Sequence, residues 1–271
     1  MTARCVIDVE LSLTVTAPGG LAVSVAVAGG AGTDREELRV EGPAAEAGNP
    51  ARLVDFPHGT RVHVLDLGRG ELTIGYRAER SYPAVAPEPL GEADLVTYTR
   101  PSRYCPSDRL GGFANREFGG LPDARARVEA IVSWVGERVE YLPGASRPTD
   151  DAVNTLLAGE GVCRDFAHLC VAFCRALDIP ARFVAVYAPG LSPMDFHAVF
   201  EAAIDGHWWL FDATGLAPRP SMTRIATGRD AADTAFLSTL GCEMDFGGTR
   251  FTVFAEPGLP ADDRIELVAL A

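Results

Sequence analysis

In the stretch Gly159-Glu160-Gly161-Val162-Cys163-Arg164-Asp165-Phe166-Ala167-His168, a cysteine follows two closely spaced glycines and heads a run of helical period. Phe166, Cys170, Phe173 and Leu177 recur on one face, and Pro180 closes the run, so a buried helix is expected over 162–177. A cysteine in the first turn of such a helix sits among N–H groups with no intrahelical acceptor, at the positive end of the helix dipole. That environment stabilises a thiolate. The glycines let backbone approach closely, as a substrate cleft requires.

A thiolate nucleophile needs a partner that accepts and returns a proton near neutral pH, which is histidine chemistry. Five histidines are available. His58 and His63 fall among short β-type segments, and His207 flanks a turn. His168 lies five residues along the cysteine's own helix, which turns its side chain away from Cys163. His197 remains. It opens the strand-like run 196–204, and Asp205-Gly206 is a strong hairpin signal leading into His207–Phe211. In an antiparallel pair closed at that turn, opposite residues have numbers summing to about 411. His197 and Asp212 fall two short of that sum and are therefore neighbours. Asp212 can then hold the second ring nitrogen of His197, fixing its tautomer. Taken alone, a cysteine near a helix start is more often a small buried apolar residue, as Cys170 and Cys174 are read here. The flanking glycines and the His/Asp hairpin reverse that reading for Cys163. Trp208, Trp209 and Asp165 are the candidates for contacting substrate. Cys105, in a proline-rich segment without a helix dipole, is a weaker rival nucleophile.

Outward from this centre the chain divides. Cys5, Ile7, Val9, Leu11, Leu13 and Val15 alternate with polar residues, and further short alternating segments follow to Tyr76, separated by Gly, Pro, Asn and Asp. This predicts an N-terminal β-sandwich-like domain over 1–95. Prolines at 83, 87, 89, 101 and 106 mark a linker. Beyond it, Val128, Ile131, Val132, Val135 and Val139 form one helical stripe, Asp151–Leu157 a short helix, and Arg182–Tyr187 a strand. Phe251–Phe254 and Ile265–Leu270 are expected to extend the same antiparallel sheet. The fold class is thus α+β: an all-β domain, then a catalytic domain over 96–271 with helices packed on an antiparallel sheet.

Composition narrows the function. All 24 basic residues are arginine, which excludes lysine Schiff bases, pyridoxal-phosphate sites and phosphate-loop lysines. A net charge of −13 argues against nucleic-acid backbones and anionic membranes as partners. His168, Cys170 and Cys174 lack the spacing of a zinc site, so neither metal nor cofactor is expected. No secretory leader pattern or membrane-length apolar run is visible, and the six irregularly spaced cysteines suit a reduced, cytoplasmic chain. The oligomeric state is left open.

The motifs G-x-G-V-C-R-D-F-A-H (159–168), L-D-I-P-A-R (177–182), M-D-F-H-A (194–198) and W-L-F-D-A-T (209–214) resemble the bacterial transglutaminase-like superfamily, including its cysteine peptidase-like members. The resemblance implies a papain-like catalytic core behind an N-terminal β-domain. It also implies a Cys163-His197-Asp212 triad that passes through an acyl-thioester on a peptide or protein substrate. Many relatives carry an aromatic where Val199 stands, a departure expected to reshape the cleft beside His197. Protein cross-linking and a non-catalytic binding role on the same fold are the alternatives.

Overall fold

The computed structural model describes residues 3–29, 33–45, 50–82 and 86–270. Strands β1 (Arg4–Ala17), β2 (Gly19–Val23), β3 (Thr33–Glu41), β4 (Arg52–Asp55), β5 (Arg61–Leu67) and β6 (Gly70–Ser81) come first. They are followed by α1 (Glu92–Thr97), α2 (Gly111–Phe118), α3 (Ala124–Arg138), β7 (Glu140–Tyr141), α4 (Ala152–Ala158), β8 (Glu160–Gly161) and α5 (Cys163–Ala176). The chain continues through β9 (Ala181–Tyr187), β10 (His197–Ile204), β11 (His207–Phe211), β12 (Thr223–Gly228), β13 (Leu237–Leu240) and β14 (Glu243–Glu256).

The alternation in β1 buries Cys5, Ile7, Val9, Leu11, Leu13 and Val15 on one face, the period-2 burial of a strand that packs on one side only. Two four-stranded antiparallel sheets, in the orders β14-β1-β6-β3 and β13-β2-β5-β4, enclose that core. Here the structure departs from expectation. Phe251–Phe254 lies in β14, which pairs with β1 through Phe251↔Val9 and Phe254↔Val6, and does not join the sheet that contains Arg182–Tyr187. Periodicity identifies a strand but carries no address for its partner. Residues 237–256 are consequently shared into the first two sheets, and sheet membership does not follow the 95/96 division of the sequence. Of the Ile265–Leu270 segment, an isolated bridge, Leu210↔Val268, reaches β11.

The third sheet, β11-β10-β9-β12, carries α5 on one face. Phe166, Cys170, Phe173 and Leu177 enter a core with Phe200, Ala202 and Phe211 of the sheet and Val128, Ile131 and Val135 of α3. Asp123 starts α3 by accepting the Ala126 N–H at 2.8 Å, and Asp151 and Asn154 form a reciprocal capping box on α4. The proline-rich segment, whose residues 83–85 lie outside the described residues, is bound structure and not a free linker. It contains α1, and the buried Arg175 of α5 donates to the carbonyls of Ala181, Arg100 and Arg229 and to the Ser102 hydroxyl. Prolines remove backbone donors, but they do not prevent packing. Cys105 is fully buried there, its thiol pushed up to about 12 by burial. No helix among the described residues is long and apolar enough to cross a membrane.

The sandwich and the third sheet are packed together. Tyr187, Ile225 and Ala226 of β9 and β12 enter the sandwich core, and the Tyr187 hydroxyl donates to the Val25 carbonyl at 2.7 Å. The Ala28 N–H bonds the Arg224 carbonyl at 2.8 Å, and the Thr227 N–H bonds Thr60 Oγ1 at 2.9 Å.

Candidate active site

Cys163 is the first residue of α5, and the residues before it are shaped to present it. Gly159, at φ +70°, ends α4 in the left-handed region that glycine tolerates. Gly161 has no room for a side chain, because a Cβ there would stand 2.8 Å from the Cβ of Asp165. Asp165 needs that position, since its Oδ2 accepts the Val162 N–H at 2.9 Å and closes the start of the helix. Asp165 is only 2% exposed and also holds Arg164, so its carboxylate is engaged in building the helix start. Cys163 itself is half-buried, against the cluster of Ala167, Phe183 and Ala198, whereas the other five cysteines are buried.

The hairpin register is the one the turn dictates. Phe200 pairs with Phe211 and Ile204 with His207, which leaves Asp212 just past the end of β11, beside His197 at the start of β10. His197 Nε2 lies 3.0 Å from Asp212 Oδ2. Asp212 Oδ1 accepts the Thr214 N–H at 2.8 Å and its hydroxyl at 2.7 Å, so both carboxylate oxygens are engaged and the group cannot turn. With Nε2 committed, His197 presents Nδ1, which is buried and has no hydrogen bond of ordinary geometry. The Cys163 thiol is its neighbour. Burial opposes a charge on the His197 ring, but the charge and hydrogen bond of Asp212, helped by Cys163, outweigh it and raise the pKa to about 10. The Asp212 carboxyl is held below its usual range: burial works against its charge, and the His197 ring and the two Thr214 donors prevail.

The sequence reading missed Tyr141. The short parallel pair β7-β8 sets Tyr141 opposite Gly161, two residues before the cysteine, and its ring rests on Phe166 at 5.9 Å. Its hydroxyl lies beside both the backbone N–H and the thiol of Cys163. Burial, together with that thiol, pushes the phenol up to about 12. The available signal was an aromatic residue just past the end of α3, before Pro143-Gly144. Two-residue strands leave no periodicity to read. Thr214 carried a signal as well, since a threonine two residues after an aspartate is the spacing of an Asx turn.

The tryptophans are not brought to the site. Trp208 and Trp209 pair with Ala203 and Ala202, five to six residues along β10 from His197, roughly 17–20 Å away at strand rise. Trp208 is 1% exposed and packs edge-on to Tyr98 beneath the Arg182 guanidinium, while Trp209 joins the α5 core. Val199 is also buried, with Val184 and Leu210, so its side chain belongs to a core cluster. His168 is buried between Tyr104 and Phe183 and accepts the Ala231 N–H, and its ring is held well below its usual pKa by burial. His207 is exposed. Among the described residues, His58, Glu88 and Asp94 place possible metal ligands within 4.8 Å of one another. The Arg182 guanidinium, 3.0 Å from His58 Nδ1 and bonded to Glu88, already supplies the positive charge there.

A helix-borne cysteine facing a strand-borne His/Asp pair is therefore built into an α+β fold of mostly antiparallel sheets. The sequence profile of the Transglutaminase-like superfamily matches residues 112–213, a span that contains all three residues. The fold superposes, with a TM-score of 0.87 and 30% identity, on a structure from Cytophaga hutchinsonii described as a "Putative Cysteine Protease", covering 100% of this chain and 98% of that one. The uncharacterized protein ML0607 of Mycobacterium leprae is 26% identical over 165 residues, which span 58% of this chain and 58% of that protein. The periplasmic domain of TgpA from Pseudomonas aeruginosa aligns over 79% of this chain and 92% of its own, at 16% identity and a TM-score of 0.41. The chain belongs to the transglutaminase-like superfamily.

Proposed function

We propose that this protein is a cysteine-dependent amide or peptide hydrolase, or an acyl transferase, acting through Cys163, His197 and Asp212. The observation that carries the reading is the orientation of His197: Nε2 is fixed on Asp212, and Nδ1 is left for the thiol at the head of α5. A ring kept protonated at neutral pH serves as counter-charge to a thiolate and as the acid for a leaving amine.

In this mechanism the Cys163 sulfur attacks the amide carbonyl carbon. The developing oxyanion is met by the Cys163 N–H, which the first turn of α5 leaves free, and by the Tyr141 hydroxyl. His197 donates its proton to the departing amine, and the C–N bond breaks to leave an acyl-thioester. Water or a second amine then attacks the thioester and passes a proton to His197. The carboxylic acid or a new amide leaves, and the sulfur is free again. The chain needs no cofactor for these steps. Peptides or proteins are the substrate class we propose, since a charge of −13 disfavours nucleic acid and anionic membrane. Six unpaired cysteines suit a reducing compartment such as the cytoplasm.

The test is alkylation by iodoacetamide together with a peptide-amide library. Cys163 is expected to alkylate at pH 6–7 at least about tenfold faster in wild type than in His197→Ala. The library is expected to yield a substrate that Cys163→Ala binds without turning over. Equal alkylation rates in the two proteins, or binding without turnover in wild type, would point to a non-catalytic protein. Adding a primary amine to the substrate assay separates acyl transfer from hydrolysis.

A further inference from the structure

His197 is held from two sides. Phe196 packs on Phe236 at 5.0 Å, on Phe251 at 4.8 Å and on Tyr187 at 6.0 Å, so the backbone immediately before the histidine is pinned against β9 and β14. The ring has one hydrogen bond of ordinary geometry, from Nε2 to Asp212 Oδ2, and its rotation follows that carboxylate. What fixes the carboxylate is Thr214, whose N–H and hydroxyl both donate to Asp212 Oδ1, at 2.8 and 2.7 Å. An ionised carboxylate only accepts, and the Leu216 N–H reaches the Thr214 oxygen at 3.3 Å, so the hydroxyl proton has one direction to take.

The turn that carries Thr214 is braced on both flanks. On one, a Cβ at Gly136 of α3 would stand 2.8 Å from the Ala213 carbonyl oxygen, so helix and turn are already in close contact. On the other, Gly215 adopts the left-handed region at φ +62°, and its carbonyl accepts from the Arg264 guanidinium. Asp262 in turn accepts the Arg264 N–H at 2.9 Å and the Arg219 guanidinium at 2.8 and 3.0 Å. The turn is thus a fixed base against which the carboxylate can be held.

We propose that Thr214 is a positioning residue for the reaction: its hydroxyl stops the Asp212 carboxylate from swivelling and so keeps the His197 ring turned with Nδ1 toward the Cys163 thiol. A single N–H on Oδ1 is a pivot, and a second, charge-assisted donor to the same oxygen removes the remaining rotation. This deepens the reading of Cys163 as nucleophile and rests on it.

The test uses the full-length chain and two matched pairs that isolate the hydroxyl: Thr214→Val against wild type, and Thr214→Ala against Thr214→Ser. Because the other five cysteines are buried, mass spectrometry of the intact protein reads iodoacetamide alkylation at Cys163. At pH 6–7, where a thiolate depends on an imidazolium that faces it, the rate is expected to fall at least about threefold in each pair when the hydroxyl is lost. Toward about pH 9, above the ordinary thiol value, the difference closes. On a peptide-amide substrate, kcat falls about tenfold with KM within about twofold, and Thr214→Ser keeps most of the wild-type rate. Urea unfolding shows which variants are folded, and the Ser/Ala pair decides the matter alone if Thr214→Val is not. Equal rates at pH 6–7 within a pair, a deficit that is the same at pH 6 and pH 9, or a Thr214→Ser variant as slow as Thr214→Ala overturns the proposal. Failure of the nucleophile reading is visible separately, as an alkylation rate that His197→Ala does not change.

Discussion

Two buried charged assemblies share the sheet β11-β10-β9-β12, and they are finished differently. Near one end, Glu201 receives Arg182 Nε at 2.6 Å and Arg224 at 2.8 and 2.9 Å. Arg182 continues to Glu88 and lies 4.2 Å above the Trp208 ring, and Arg224 continues to Thr227. Every formal charge there has its counter-charge inside the protein. At the other end, Asp212 is saturated by His197 and Thr214, but the outward nitrogen of His197 has only a half-exposed thiol before it. A closed network spends its charges on holding elements together. An assembly open on one side keeps a charged group waiting for something that arrives, and that difference separates a structural cluster from a candidate reaction centre.

The largest effect expected at the open end is on rate. Asp212→Asn should lower turnover by about 10³–10⁴-fold, because the wrong tautomer of His197 then faces the sulfur. Steady-state kinetics on a substrate from the library measures it, and a loss under tenfold would erase the distinction between the two assemblies. At the closed end the expected effect is on stability. Glu201→Gln leaves two buried guanidiniums short of a counter-charge and should cost about 3–5 kcal/mol in urea unfolding, while turnover per folded molecule stays within about threefold. A variant that is stable but inactive would move Glu201 into the mechanism.

Tyr141→Phe sharpens the comparison by removing a hydroxyl that lies near Cys163 without belonging to either assembly. A fall of about 10²-fold in kcat with little change in KM is expected for a lost oxyanion donor. The smallest effect is the pH dependence of stability, in which an alkaline-side loss is expected from the open end alone. Glu201 and Asp212 both have lowered folded pKa values, so each contributes stability above the ordinary carboxylate range that is lost as pH falls. His197 has a raised pKa, so its contribution is full below about 6.5 and is lost as pH rises to about 10. Denaturation between pH 7 and 10 should therefore show a decline in wild type that is absent in His197→Ala.

The open end was legible in the sequence because its information is local: a helix start with glycines, a two-residue turn that fixes a register, and an aspartate at the end of the returning strand. The closed end was not. Arg182, Glu201 and Arg224 come from three strands, and in an alternating pattern a charged residue reads as solvent-facing unless its partners are known. The same limit hid the pairing of β14 with β1, which spans almost the whole chain, and the binding of the proline-rich segment by Arg175. The tryptophans misled for a related reason. Adjacency to a hairpin turn fixed their position along the strand, and that position is the far end from the histidine.

The pairing of β1 with β14 also has a consequence for how the protein is made. β1 sits between β6 and β14, with Arg4 opposite Glu256, so β1 leaves the ribosome well before the strand that covers its second edge. Until then that edge offers unpaired backbone groups, and the inner face of the first sandwich lacks Val253 and Phe251. The N-terminal half cannot mature ahead of the rest, as an independent domain would during translation. Its completion is a late, non-local event, and one that places Phe251 against Phe196. Folding of this part of the chain and alignment of His197 thus finish in the same step.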